Sequence, residues 1–226
     1  MLLLAIETAT NVCSAALARE EGLEYVIDGH LPRKHSEMLV PIIERLLELS
    51  GTSVDQLDAI AVSIGPGSFT GLRIGLSTAK GMGFSHNLDL LAIPTLAATA
   101  WGVRHMVEEV AVLHHSHREQ YFCATYRLGE LPVPIVEPYR DTLESILDRL
   151  DPQMPLVMTG GQDTPVPEAV RKNGIVSSGP VSALGVAMLA LCAPERWRVE
   201  NPYTTEPNYL REYEATKYQN PLQDKS

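Results

Sequence analysis

The sequence predicts an α/β fold of two lobes, each of about 100 residues. Three observations carry this. Paired apolar strand patterns open each half, over residues 2–18 and 107–128. Each pair is followed by alternating helical and strand patterns. The 226 residues are 45% hydrophobic and 20% charged, the balance of a globular chain with a sizeable core. The expected division is a first lobe over residues 1–100, rejoined by the tail 201–226, and a second lobe over 101–200.

Residues 2–6 and 12–18 read as strands around the polar turn ETATN, in which Thr8 and Asn11 are expected to bond the backbone. LEYVID reads as a third strand. In HSEMLVPIIERLLELSG, Leu39, Ile42, Ile43, Leu46 and Leu47 recur at helical spacing, with Glu44, Arg45 and Glu48 between them. Ser36 is the expected N-cap and Gly51 the stop. Pro41 is expected to kink the first turns or delay the helix start. LDAIAVSI and LDLLAIP are apolar on both faces, as in a sheet covered on two sides. In the second half, VEEVAVLHH and EQYFCATYRL read as paired strands joined by SHR. Pro132, Pro134 and Pro138 interrupt the next stretch. TLESILDRL reads as a short amphipathic helix and PLVMTGG as a strand. PEAVRKNG reads as a helix ending at Gly174, and SALGVAMLALCA as a buried helix.

Charge and cysteine usage narrow the class. There are 18 Lys+Arg against 28 Asp+Glu, a net charge of -10. Such a surface repels phosphate backbones, which argues against nucleic acid as a direct partner. Cys13, Cys123 and Cys192 lie far apart and form no CxxC pair, which fits a reducing compartment. The apolar start MLLLAI has no basic n-region and reads as a strand rather than a signal peptide. No apolar run reaches membrane-spanning length. The expected location is cytoplasmic, with no membrane contact.

The stretch IGPGSFTGLRIGLSTAKGMGFS, residues 64–85, carries the strongest signal. Gly65, Gly67 and Gly71 sit between a strand and a helix, where backbone N–H groups can hold an anion. The spacing lacks the third glycine of the dinucleotide pattern and the Lys-Ser/Thr of a P-loop. In the helix after the loop, Gly71, Gly75, Ala79 and Gly83 stand four apart and share one face. Each interior glycine costs about 0.5–1 kcal/mol against alanine, so something must pack closely on the bare backbone. That partner is either another helix of the chain, such as residues 36–50, or a second subunit.

GPGSFTGLRIG, LLLAIETATNVCSAAL, HSEMLVPIIERLL and PNYLREYEATK together closely resemble the bacterial TsaB (YeaZ) family, also known as glycoprotease-like. The resemblance spans nearly the full chain, strong through residue 100 and loose from about 101 to 200. It implies an actin-like, ribonuclease-H-like ATPase fold. It also implies a non-catalytic partner of a TsaD-type transferase, acting in threonylcarbamoyladenosine synthesis on tRNA beside the anticodon. The TsaE-type ATPase is the implied third component, and tRNA is reached only through the complex. Family members dimerise through the N-terminal lobe, so a homodimer is expected when the chain is alone. The expected partner interface is Gly71, Arg73, Gly75, Ala79, Gly83, Leu39, Ile42 and Ile43.

Several residues invite other chemistry. Nucleotide-binding relatives of this fold carry D-x-G-T at the first turn; here it is Glu7-Thr8-Ala9-Thr10. Ala9 replaces the glycine, and its Cβ hinders phosphate approach. Glu7, Thr8 and Thr10 remain the candidates for ATP or ADP, held only in the complex. The seven histidines contain no pair four apart, so the H-x-x-x-H metal grip of TsaD-type enzymes is missing. His115 and His117 share a strand face and could supply two metal ligands, but no cysteine and no third histidine stands at usable spacing, which leaves only an Asp or Glu from elsewhere as a third. The family's Asp-Ala-Arg stretch is replaced by His115-Ser116-His117-Arg118. A peptidase reading lacks the G-x-S-x-G elbow around Ser68 and an activated cysteine. The rival classes are a free-standing ATPase or kinase of the same fold and a metallopeptidase.

Overall fold

The computed structural model describes residues 1–117, 119–159, 167–168, 170, 175–179 and 181–210. Strands β1 (Leu2–Glu7), β2 (Val12–Arg19), β3 (Gly22–His30), β4 (Ala59–Gly65) and β5 (Asp89–Pro94) form one sheet in the order β3-β2-β1-β4-β5. Strands β6 (Glu109–His117), β7 (Gln120–Arg127), β8 (Val133–Thr142), β9 (Leu156–Thr159) and β10 (Ile175–Gly179) form a second, ordered β10-β9-β6-β7-β8. The first three strands of each set are antiparallel neighbours, and the first, fourth and fifth run parallel. Both sheets therefore have the same topology.

Helices α1 (His35–Ser50) and α2 (Phe69–His86) cover one face of the first sheet. Between them and the sheet lies a core that includes Leu4, Ile6, Leu17, Leu39, Leu46, Ile60 and Leu76. Helices α3 (Thr95–Trp101) and α5 (Ala183–Cys192) lie between the two sheets. Their core joins Leu3 and Ala5 of the first sheet to Val112 and Phe122 of the second, through Leu96 and Leu189. Helix α4 (Leu143–Arg149) covers the second sheet's other face through Ile146. The apolar sequence of α5 is explained by its neighbours. It packs on β1, β2 and α3, and Gly185 lets it close on the Ala98 carbonyl, where an added Cβ would stand 3.0 Å away.

The elements depart from the sequence reading at specific residues. Helix α1 starts at His35, with Lys34 at the N-cap and no side-chain cap bond, so Ser36 lies inside the helix. His35 Nε2 instead stands 3.1 Å from the Val12 carbonyl and ties the helix start to β2. Pro41 lies within the helix. Gly51 closes it in the left-handed conformation, φ 65°, as expected of a C-terminal glycine. In the first turn it is Thr10, not Thr8, whose hydroxyl bonds the backbone, accepting from Val12 N at 3.0 Å. The prolines after Pro132 do not prevent a strand. β8 is an edge strand with register shifts, where Pro134 and Pro138 leave no ladder bond of a central strand unmade. The expected helix over PEAVRKNG falls mostly outside the described residues.

After helix α6 (Pro194–Trp197), the chain returns to the first sheet. Arg198 bridges to Leu91, and Val199 N donates to the Leu90 carbonyl at 2.9 Å. Residues 203–209 then run along α2. Lys80 Nζ donates to the Thr205 carbonyl at 2.7 Å and to the Tyr203 carbonyl at 3.3 Å. Asn208 N donates to the Ile64 carbonyl at 2.7 Å. Residues 211–226, which hold most of YLREYEATK, lie outside the described residues. No described helix is long and apolar enough to cross a membrane.

Candidate functional site

The turn after β1 and the glycine loop before α2 meet at the carboxyl ends of β1 and β4. Ser68 caps α2, its hydroxyl accepting from Gly71 N at 3.2 Å. Ser68 N in turn donates to the Ala9 carbonyl at 2.8 Å. The Thr95 hydroxyl accepts from Gly65 N at 3.1 Å. Three glycines allow the turn to seat. An added Cβ at Gly67 would stand 2.6 Å from the Ala9 Cβ. One at Gly71 would strike the Thr8 carbonyl, and one at Gly75 the Thr8 hydroxyl. The bare positions Gly71 and Gly75 of α2 are thus required by the chain's own first turn.

This corrects the expected use of the helix face. Gly71 and Gly75 are buried against Thr8, and Ala79 is buried in the core under the first sheet, so none of the three is open to a second molecule. Their close neighbour is a turn rather than another helix. Leu39, Ile42 and Ile43 are buried under α1 in the same core. Gly83 is half-buried and serves the helix end, its carbonyl accepting from the left-handed Asn87 and from Leu88. Of the expected interface residues only Arg73 is exposed.

Glu7, Thr8 and Thr10 are likewise buried, at 0%, 0% and 8% exposure. Glu7 Oε1 accepts from Ala9 N at 2.5 Å. Its Oε2 has no hydrogen-bond partner among the described residues, and the Ser63 hydroxyl beside it favours the charged form without a well-formed bond. Burial dominates and pushes the Glu7 carboxyl up to about 7. The Thr8 hydroxyl has no partner among the described residues. Two of the loop's donors are taken, Ser68 N by Ala9 and Gly71 N by Ser68, and the Ala9 carbonyl faces the loop. A phosphate at this turn would meet a closed surface and a carbonyl oxygen. A cavity of about 410 Å³ opens elsewhere, between α3, α5 and the sheets, lined by Trp101, Val157 and Ser182 and by none of the three turn residues.

The histidine segment is split by its strand. His114 is buried with Nδ1 unpartnered, and burial pushes its imidazole down to about 4. His115 packs edge-on against Tyr121, with ring centroids 5.2 Å apart. A register shift lies between His115 and His117. Among the described residues, no group of three or more His, Cys, Asp or Glu could hold a metal ion. Arg118 lies outside the described residues. The sequence reading returns the tail to the first lobe without naming its partners there; in the structure, residues 203–209 lie against α2 through Lys80 and Arg73. The one available signal for those partners was Tyr209 within PNYLREYEATK.

Two sheets of one topology, with helices between and outside them, define an actin-like α/β fold. The sequence profile of the TsaD family, tRNA N6-adenosine threonylcarbamoyltransferase, matches residues 26–196, and the chain belongs to this family. Within it, the relatives place the chain with the TsaB (YeaZ) proteins. It is 38% identical to tRNA threonylcarbamoyladenosine biosynthesis protein TsaB of Escherichia coli, over 45% of this chain and 44% of that protein. It is 26% identical to the protein of that name in Bacillus subtilis, over 95% of this chain and 96% of that one. The E. coli alignment thus spans less than half of either protein. Among solved structures, a Pseudomonas aeruginosa protein described as similar to peptidase YEAZ superposes with a TM-score of 0.78 at 27% identity, covering 93% of this chain and 99% of that one. An activator of 2-hydroxyisocaproyl-CoA dehydratase from Clostridium difficile, with bound ADPNP, shares the fold at TM-score 0.54 and 12% identity.

Proposed function

We propose that this chain is a non-catalytic subunit that binds and activates a TsaD-type transferase in the synthesis of threonylcarbamoyladenosine on tRNA. The observation that carries the reading is the closed first turn. In an actin-like fold that turn must open to a phosphate for ATP chemistry, and here Ser68, Gly71 and Gly75 seal it. Likeness to TsaB-named proteins supplies the pathway. The mechanism is conformational: binding favours the transferase's productive state, and the effect is limited by the difference in affinity for its two states. A TsaE-type ATPase joins the assembly, and the chain self-associates when alone. The contact is assigned to the exposed side of α2, around Arg73. Both lobes and the returning tail belong to one cytoplasmic protein that meets tRNA only through the complex.

Isothermal titration of the isolated chain with the cognate transferase, and separately with Mg²⁺-ATP, tests this. The expected result is saturable binding of the transferase and none of ATP. ATP binding with turnover by the isolated chain would instead support the free-standing ATPase. Stoichiometric zinc or iron in the purified protein would support the metallopeptidase.

A further inference from the structure

We infer that Tyr209 is a positioning residue for Arg73, so that the tail segment and the first turns of α2 form one docking surface for a carboxylate on the transferase. The inference rests on the reading above that α2 meets the transferase. Arg73 is the only charged residue between Ile64 and Ala79, and α2 carries no Asp or Glu. Its guanidinium carbon lies 4.0 Å from the Phe69 ring centroid and 5.8 Å from that of Tyr209. The two rings pack at 4.8 Å with a tilt of 35°. Arg73 Nε donates to the Tyr209 hydroxyl at 2.9 Å.

The tail is brought to this place by backbone contacts. Lys80 holds the Tyr203 and Thr205 carbonyls, and Asn208 N bonds the Ile64 carbonyl. The Asn208 carbonyl sits where a Cβ at Gly65 would come within 2.7 Å. Gly65 therefore admits the segment that delivers Tyr209. The result is a guanidinium held over one ring and tethered by one N–H, still exposed, with no acidic partner among the described residues. Its Nη donors suit a carboxylate taken by the planar fork. A free arginine loses rotamer freedom when it binds; one already held loses less.

The test is a double-mutant cycle on affinity for the purified transferase, with Arg73→Ala, Tyr209→Phe and the pair, each checked by thermal unfolding alone. Tyr209→Phe keeps the ring and removes only the hydroxyl tether. It is expected to weaken binding about 3-fold to 10-fold in the Arg73 background and to have no effect in the Arg73→Ala background. Arg73→Lys should not restore wild-type affinity, because it lacks the fork. Equal weakening by Tyr209→Phe in both backgrounds overturns the inference, as does no effect beside a wild-type Arg73 dependence. Either leaves the partner reading standing. If these variants shift the chain's own dimerisation instead, measured by sedimentation, the occupant is a second copy and the inference fails. If the wild-type chain does not bind the transferase, the partner reading fails, and the inference with it.

Discussion

Glu7 is a buried acid with one oxygen bonded and one bare, in a place where the sequence suggests a ligand contact. Its pH dependence is set by burial. The carboxyl is pushed from 4.5 to about 7 in the folded chain. The unfolded state therefore loses this proton at lower pH than the folded state. Stability from this group is fully present below about 4.5 and is lost as pH rises through 7. The shift corresponds to on the order of 3 kcal/mol. Urea unfolding between about pH 4.5 and 8 should show that decline, and Glu7→Gln should remove most of it while keeping an acceptor for Ala9 N. A second residue-scale expectation concerns Gly75. Because the site faces Thr8, Gly75→Leu is expected to cost more than about 3 kcal/mol of folding stability, read from the same denaturant curves. A leucine variant as stable as wild type would mean that the face is open after all. The stripe is legible in the sequence; what it faces is not. Spacing reports that a backbone is approached closely, and a turn from another part of the chain satisfies that as well as a helix does.

At the scale of elements, long periodic or doubly apolar segments are legible, and short or contradictory ones are not. α1 and β1, β2, β4 and β5 keep to their patterns because burial on the sheet selects the same residues that make the pattern. α3 is hidden from such reading. Its TLAATAW is seven residues long with no charged side chain, since it lies between two sheets, so periodicity carries little information there. β8 is hidden too, because proline argues against strands in general but not at an edge. The N-terminus of α2 offers a local test. Ser68→Ala removes the hydroxyl that accepts from Gly71 N, and should cost about 1 kcal/mol. That is less than the Gly75 change, because the backbone bond from Leu72 N to Ser68 O remains. Thermal unfolding of the two variants side by side should keep this order.

For the whole molecule, the repeated sheet topology invites a picture of two units that fold alone, and the core argues against it. α5 comes late in the chain, at Ala183–Cys192, yet it packs on β1 and β2 of the first sheet. Ala183 N donates to the Ser14 hydroxyl at 2.9 Å, and Ser182 donates to Asp28 at 2.8 Å. The core around α5 contains Leu3 and Ala5 from one sheet and Val112, Phe122 and Val157 from the other. A fragment of residues 1–100 would keep most of α3 but uncover the part of that face of the first sheet that α5 covers. Burial of apolar area is the main favourable term in folding, so such a fragment is expected to lack cooperative unfolding. The full chain is expected to unfold in a single transition, with the calorimetric and van't Hoff enthalpies equal. Leu189→Ala, which opens the shared core, should lower that transition by about 2–5 kcal/mol without splitting it. Two resolved transitions, only one of them shifted by Leu189→Ala, would mean that the lobes are separate folding units. A single transition instead couples α2 to the far sheet through β1 and α5.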